Sequence, residues 1–298
     1  MTLKYIVTDD AKYQNINQIL KQELHISARL LHKLITKKHV LLNGVITDTR
    51  TSISKNDIIT INLDFEEESE NIVATEMKLD IIYEDDSFLV LNKPAGIAVH
   101  PSVLHYEDSL SNGVKFYFEN IGLKRKIRPV NRLDLNTSGL IVFAKNEYVQ
   151  ECLIQQMNSH IFRKEYIAIV VGYLNKPTGT INFPIDRKPN SIIERYISNN
   201  GQKAITDYEV LKEFGISSDC FSVVKCSLKT GRTHQIRVHM SAIGHPLLGD
   251  TLYGVSSPLI DRQALHSYKI SFVHPITNKV LDFTCELPND MKSLIINE

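Results

Sequence analysis

No CxxC pair is formed by the four cysteines, Cys152, Cys220, Cys226 and Cys285. They suit reduced, buried thiols better than disulfides or zinc. No apolar run approaches the length of a membrane span, and the opening residues MTLKYIVTDD lack a signal-peptide core, so the expected location is cytoplasmic. Neither GxGxxG, GxxxxGK[ST] nor HExxH occurs, which argues against the usual nucleotide and zinc-hydrolase sites. His105, His234, His239, His245, His266 and His274 fit no standard zinc spacing and read as polar residues rather than ligands. No metal and no cofactor is expected.

Net charge is also lacking: 34 Lys and Arg face 34 Asp and Glu. At first sight a nucleic-acid partner is thereby disfavoured. The distribution reverses this. Residues 1–63 carry nine basic and five acidic side chains, residues 64–86 carry one and ten, and residues 87–298 carry twenty-four and nineteen. An acidic joint separates two basic bodies, and local fields rather than the total attract a phosphate backbone.

What is present is an ordinary globular composition, 43% hydrophobic and 23% charged over 298 residues. That is enough for one large core plus a small domain, or for two moderate ones. The run Asp64-Phe65-Glu66-Glu67-Glu68-Ser69-Glu70 reads as an extended, solvated linker across which few contacts pass. Division into residues 1–63, a linker at 64–71 and a larger domain at 72–298 follows.

In the first part, Ile16, Ile19, Leu20 and Leu24 keep helical spacing, as do Leu30, Leu31, Leu34 and Ile35 after a candidate cap at Ser27. Residues 40–46 read as strand, Asn-Gly turn, strand, and residues 58–61 as another strand. Beyond residue 72, strands are expected at 88–91, 166–171, 204–211 and 221–228. Helices are expected after caps at Asn146 and Thr233, the latter ending at Gly244. Strands and helices without strict alternation point to an α+β fold on a mixed, largely antiparallel sheet with flanking helices, plus a small N-terminal α/β domain.

One stretch carries chemistry, RPVNRLDLNTSGLIVFAKN at 128–146. Asp134 stands before the turn-forming Asn136-Thr137-Ser138-Gly139 and an apolar strand at 140–144. An acid on a tight loop in front of a buried strand is held firmly enough to act on a substrate, although such an Asp is often no more than a turn cap.

Three further blocks decide between these readings: NKPAGIAVHP at 92–101, RKEYIA at 163–168 and TGRTHQIRVH at 230–239. With RLDxxTSG between the first two, and with GHPLLGD at 244–250 and ALHS at 264–267, the chain closely resembles the RluA/RluD-type pseudouridine synthases over about residues 72–288. The one departure is Asn131, where that family usually has His before RLD. The N-terminal unit resembles the small RNA-binding domain shared with ribosomal protein S-four. The resemblance implies an isomerase that converts uridine to pseudouridine in structured RNA, most simply large-subunit ribosomal RNA. It implies RNA as partner, with no membrane and no obligate protein partner.

The resemblance also implies roles. Asp134 would be the catalytic carboxylate, acting by attack on the anomeric carbon or by proton removal toward a glycal. Arg237 would pair with it and Tyr166 would pack on the flipped base. Arg132, Arg232, His234, Gln235 and Ile236 would hold RNA and uridine, with Arg132 filling the gap left by the extruded nucleotide. Arg29, Lys33, Lys37 and Lys38 would form the basic face of the N-terminal domain, and the run at 124–128 would meet RNA backbone. Other readings stay open: a non-catalytic RNA-binding or ribosome-assembly factor on the same fold, a synthase acting on tRNA, and a glycosidic carboxylate hydrolase. The last would need a second positioned acid, which no block supplies.

Overall fold

The computed structural model of the chain describes residues 1–9 and 12–296. The N-terminal unit comprises β1 (Thr2–Ile6), α1 (Ile16–Gln22), α2 (Ala28–Thr36), β2 (Val40–Leu42), β3 (Val45–Ile46) and β4 (Ile58–Asn62). Its four strands form an antiparallel sheet in the order β1-β4-β2-β3. Asn43 and Gly44 both have positive φ, as a two-residue hairpin turn requires. The Ser27 hydroxyl caps α2 by accepting from the Leu30 N–H. Leu30, Leu31 and Leu34 turn inward while Ile35 is left on the open side.

The larger unit contains β5 (Ile81–Glu84), β6 (Phe88–Lys93), α3 (Leu110–Asn120), β7 (Arg128–Pro129), β8 (Ser138–Ala144), α4 (Glu147–Asn158), β9 (Arg163–Val171) and β10 (Thr178–Ile181). It continues through β11 (Ile185–Arg187), β12 (Arg195–Ile197), β13 (Thr206–Ile216), β14 (Asp219–Leu228), α5 (Gln235–Ala242), β15 (Leu265–Val273), β16 (Val280–Thr284) and α6 (Asn289–Ile296). The main sheet runs β10-β13-β14-β9-β15-β8-β6-β5, with β16 beside β15 and β7 beside β8. Every pairing is antiparallel except β15 with β8. The fold is therefore α+β on a mixed, largely antiparallel sheet. Among the described residues no helix is long and apolar enough to cross a membrane.

Strand pleat sends successive side chains to opposite faces, and here both faces are covered. Phe88, Val90, Leu140 and Val142 join an apolar cluster with α4 and with Leu30, Leu34, Ile59 and Ile61 of the N-terminal unit. Leu89, Leu91, Ile141 and Phe143 point the other way, into a cluster with Val114 of α3, Tyr166 of β9 and Ile236 of α5. Burial on both sides explains why these strands read as continuous apolar runs.

Where β15 runs parallel to β8, His266 lies opposite Ser138 and Ser267 opposite Gly139. Gly139 has φ +109, and a Cβ there would sit 2.3 Å from the Ser267 carbonyl oxygen. Only glycine permits the approach, which is the physical content of the TSG motif.

Two expectations are corrected. The acidic joint is not a free, solvated tether. Phe65 is buried, and Glu67 lies 2.7 Å from Arg128 and 3.4 Å from Lys33. Asp64 pairs with Arg125, and Glu66 with Lys124. The joint is a strap laid along residues 124–128, because its carboxylates meet that basic run within one chain. The cysteines divide too: Cys226 and Cys285 are buried, but Cys220 is an exposed free thiol, since it sits near the end of the β13–β14 hairpin.

The strap should carry stability. Glu67→Gln leaves the largely buried Arg128 guanidinium without its main counter-charge, and is expected to lower unfolding free energy by about 1–3 kcal/mol. Equilibrium urea unfolding measures this, and a midpoint equal to that of the unaltered protein would mean the strap merely lies on the surface.

Candidate active site

Asp134 sits in the turn that leads into β8. The Thr137 N–H closes that turn on the Asp134 carbonyl at 3.1 Å. The carbonyls that follow point inward, where each buried acceptor needs a donor. The Leu135 oxygen accepts from Lys93 Nζ at 2.9 Å and from the Gly96 N–H at 3.0 Å. Lys93 is fully buried, and its ammonium also donates to the Pro94 and Ile97 carbonyls, each at 2.8 Å. Burial, aided by the nearby Arg262 charge, pushes the Lys93 ammonium down to about 7, while Asp134 pulls the other way. The Asn136 oxygen accepts from Arg262 Nη1 at 3.0 Å. The NKPAG block is thus the cradle of the Asp134 turn, and the Asp134 carboxylate stays one-quarter exposed.

Opposite stands Arg237, in the first turn of α5. Its Nη1 donates to Asp134 Oδ2 at 3.3 Å. Its stronger partner is Asp250, gripped by Nε at 2.7 Å and Nη2 at 2.8 Å, a two-point fork. Asp250 is buried and also accepts from the Leu252 and Tyr253 N–H groups. The Tyr253 ring lies 5.0 Å from the guanidinium carbon. Burial alone would lower Arg237, but the hydrogen bonds and charge of Asp250, with those of Asp134, hold it above its ordinary value. A permanent cation is thereby fixed beside Asp134.

The cap of α5 differs from expectation. The capping position is His234, in the left-handed conformation at φ +58, and its side chain makes no cap bond. Its Nδ1 instead meets the Tyr253 hydroxyl at 2.8 Å, leaving Nε2 3.8 Å from Asp134. Burial lowers its pKa and so favours the neutral ring, while the Asp134 charge pulls the other way.

Asp134, Arg237, Tyr166, Ile236 and Leu133 line a cavity of about 1110 Å³. Pockets for small ligands are typically about 300–1,000 Å³, so this open cleft suits part of a polymer. Tyr166 is only 5% exposed. Burial raises its pKa, a hydrogen bond to Ser267 counters, and the Asp134 charge adds to the rise, so it remains a neutral phenol. Arg132, Arg163, Lys164, Arg187, Arg195 and Arg232 stand around the same cleft.

The residues expected from sequence divide into groups. Asp134, Tyr166, Arg237, Ile236 and His234 converge, and Arg132 and Arg232 remain exposed at the cleft. Gln235 lines the same cavity but is only 2% exposed, and its side-chain amide is engaged within the protein. Its amide accepts from Thr230 Oγ1 and the Arg232 N–H and donates to the Ile205 carbonyl and Thr206 Oγ1. A buried amide with both ends engaged fixes loop 230–235. In the N-terminal unit Lys37 and Lys38 are exposed. Lys33 is held by Glu67 and Glu147, and Arg29 approaches Glu147 at 3.4 Å while 75% exposed. Within the basic run, Lys124, Arg125 and Arg128 are held by the strap. Asn131 spans the edge of β8, accepting from the Val142 N–H at 2.9 Å and donating to the Leu140 carbonyl at 3.3 Å. The departure from His therefore alters a strand contact.

Sequence reasoning missed Asp250, Lys93, Arg262 and Tyr253 as contributors. The first two stand inside the motifs GHPLLGD and NKPAG, and a charge inside an apolar block is the signal that could have found them.

Comparison with known proteins identifies the relatives of the chain. Residues 87–242 match the family model described as RNA pseudouridylate synthase, and residues 3–59 match that of the RluD ribosomal pseudouridine synthase N-terminal domain. An uncharacterized RNA pseudouridine synthase of Bacillus subtilis is 39% identical over 277 residues, covering 93% of this chain and 96% of that protein. The ribosomal large subunit pseudouridine synthase D of Nitrosomonas europaea is 33% identical over 304 residues, covering 99% and 87%. A solved structure, human RNA pseudouridylate synthase domain containing 1, superposes with a TM-score of 0.58 at 26% identity, covering 70% of this chain and 83% of that one.

Asp250→Asn should break the fork on Arg237 and let its guanidinium swing. Turnover is expected to fall by a factor equivalent to on the order of 3 kcal/mol, with ligand affinity little changed. Steady-state kinetics beside a binding titration checks this, and a loss confined to affinity would show that Arg237 serves binding alone.

Proposed function

This chain belongs to the RNA pseudouridylate synthase family, and we propose on that premise that it isomerises uridine in large-subunit ribosomal RNA with Asp134 as the carboxylate at the reacting sugar. The observation that carries the reading is the pairing of a cleft-facing Asp134 with an Arg237 whose remaining donors are committed to Asp250. The ribosomal target rests on relatives that bear the name ribosomal large subunit pseudouridine synthase D.

The chemistry fits these groups. The bond from ribose C1′ to uracil N1 breaks, the base turns, and C5 bonds to C1′. N1 gains a proton and C5 loses one, so nothing is oxidised and no atom leaves. The reaction needs a carboxylate beside C1′, and Asp134 faces the fixed guanidinium of Arg237 at 3.3 Å. A stacked uridine offers no access to C1′, so the nucleotide must leave its helix and enter the cleft. Tyr166 and Ile236 then supply apolar walls for the ring. Tyr166, a neutral phenol, can pass a proton only by donating and regaining one, which suits the exchange between N1 and C5. The exposed Arg132 at the cleft is the side chain we assign to the gap left by the extruded nucleotide.

A division of labour accompanies this reading. Residues 72–298 carry the reaction. Residues 1–63 add affinity through Lys37 and Lys38, with residues 64–71 strapping the two together.

Asp134→Asn is expected to abolish isomerisation while RNA affinity stays within about tenfold, roughly 1.4 kcal/mol. Nucleoside analysis of treated RNA, beside a binding titration, reads both, and substantial product from the purified variant would remove Asp134 from the mechanism. Replacing Lys37 and Lys38 with Gln is expected to make the salt dependence of RNA binding shallower by about 0.7–0.9 for each phosphate no longer neutralised. An unchanged slope would mean that this face of α2 does not touch RNA.

A further inference from the structure

The Asp134 turn is gripped from two sides, by Lys93 and Gly96 on one and by Arg262 on the other. Arg262 approaches from the β15 side, 126 residues along the chain from Asn136. Its Nη1 donates to the Asn136 carbonyl at 3.0 Å, the Gln263 carbonyl at 3.1 Å and the Leu265 carbonyl at 3.3 Å. Its other nitrogens form a fork on Asp290, with Nε to Oδ2 at 2.7 Å and Nη2 to Oδ1 at 3.0 Å. Neither Arg262 nor Asp290 lines the cleft, so neither is placed to touch substrate.

We propose that Arg262 and Asp290 are positioning residues for catalysis: α6 holds Arg262 through Asp290, and Arg262 holds the Asn136 carbonyl so that Asp134 stays aimed into the cleft. This rests on the reading of Asp134 as the catalytic carboxylate.

Three features give the bracket its direction. First, α6 is anchored independently of the loop. Met291 and Leu294 are buried among Ile167, Ile169, Phe221 and Leu248, so Asp290 is presented from a fixed helix. Second, Arg262 is itself mostly buried, and a guanidinium locked at two nitrogens has little freedom at the third. Third, the grip falls two residues beyond Asp134, where the chain enters the parallel pairing of Ser138 with His266. Loss of the Asp290 charge would let Arg262 turn toward water and free the Asn136 carbonyl, so that Lys93 and Gly96 would hold the turn from one side only. A misplacement of about 1 Å at a reacting group can cost on the order of a hundredfold in rate.

The test uses the full chain with Asp290→Asn, Asp290→Glu and Arg262→Lys, and with Asp134→Asn in parallel. Single-turnover isomerisation with enzyme in excess gives the rate constant of the chemical step. An RNA titration gives Kd, and thermal unfolding checks the fold. Asp290 is 43% exposed, so its amide variant is expected to fold even if Arg262→Lys does not. The expected result is a rate constant lowered by about tenfold or more for Asp290→Asn and Arg262→Lys, an unchanged Kd, and partial recovery in Asp290→Glu. A lower melting temperature with the rate constant of the unaltered protein would overturn the proposal, as would a Kd that weakens in step with the rate. An active Asp134→Asn would instead overturn the reading on which the proposal rests. An inactive Asp134→Asn beside a fully active, folded Asp290→Asn would overturn the positioning role alone.

Discussion

Two carbonyl groups decide how this protein presents its carboxylate. Leu135 and Asn136 follow Asp134 in a turn that dips into the molecule, and their oxygens cannot be left without donors there. The chain supplies Lys93 and Gly96 to one and Arg262 to the other. Placing two cations under one turn is costly, as the depressed pKa of Lys93 indicates. The cost is offset because the same cations hold the backbone while Arg237 holds the carboxylate from across the cleft. Next along the chain, β8 can lie against β15 only because residue 139 has no side chain. The motif from residue 132 to 139 is therefore one mechanical unit: a buried leucine, an aimed acid, two pinned carbonyls and a close strand contact.

Charge elsewhere follows a related logic. Equal numbers of acids and bases suggest a protein indifferent to polyanions. Much of that equality arises from internal pairing. The strap at 64–67 neutralises residues 124–128, and Glu147 takes up Lys33 and Arg29. What remains exposed around the cleft is largely cationic, including Arg132, Arg163, Arg187 and Arg232. Local fields of this kind, rather than the summed charge, govern attraction of a phosphate chain.

Much of this is legible in the sequence wherever the determinant is local. The caps at Ser27 and Asn146, the Asn43-Gly44 hairpin and the apolar runs around 88–91 and 140–144 are read from neighbouring residues, and they stand as expected. Helix α3 is not legible in this way, because LSNGVKFYFEN carries Asn and Gly among few strong helix formers. Its Gly113 is needed for packing, since a Cβ there would lie 2.9 Å from Met77 Cβ. Strand β1 escapes as well, being a short, half-polar terminus whose partner, β4, lies more than fifty residues away. In the site, Asp134, Arg237 and Tyr166 are found through motifs, but the Asp250 fork and the Arg262–Asp290 bracket are tertiary. Each joins residues whose spacing carries no periodic signal, and His234 reaches Tyr253 only through a left-handed turn that a cap expected at Thr233 would not produce.

The central claim is that this fold breaks and remakes a sugar–base bond within one nucleotide, without loss of the base. The most direct measurement uses a transcript of large-subunit ribosomal RNA carrying tritium at uracil C5. Bonding C5 to C1′ expels that hydrogen. The account predicts tritium released to water up to a fixed number of sites per transcript, with no free uracil and no strand cleavage. Bound RNA with no tritium release, or release of free uracil in its place, would contradict it.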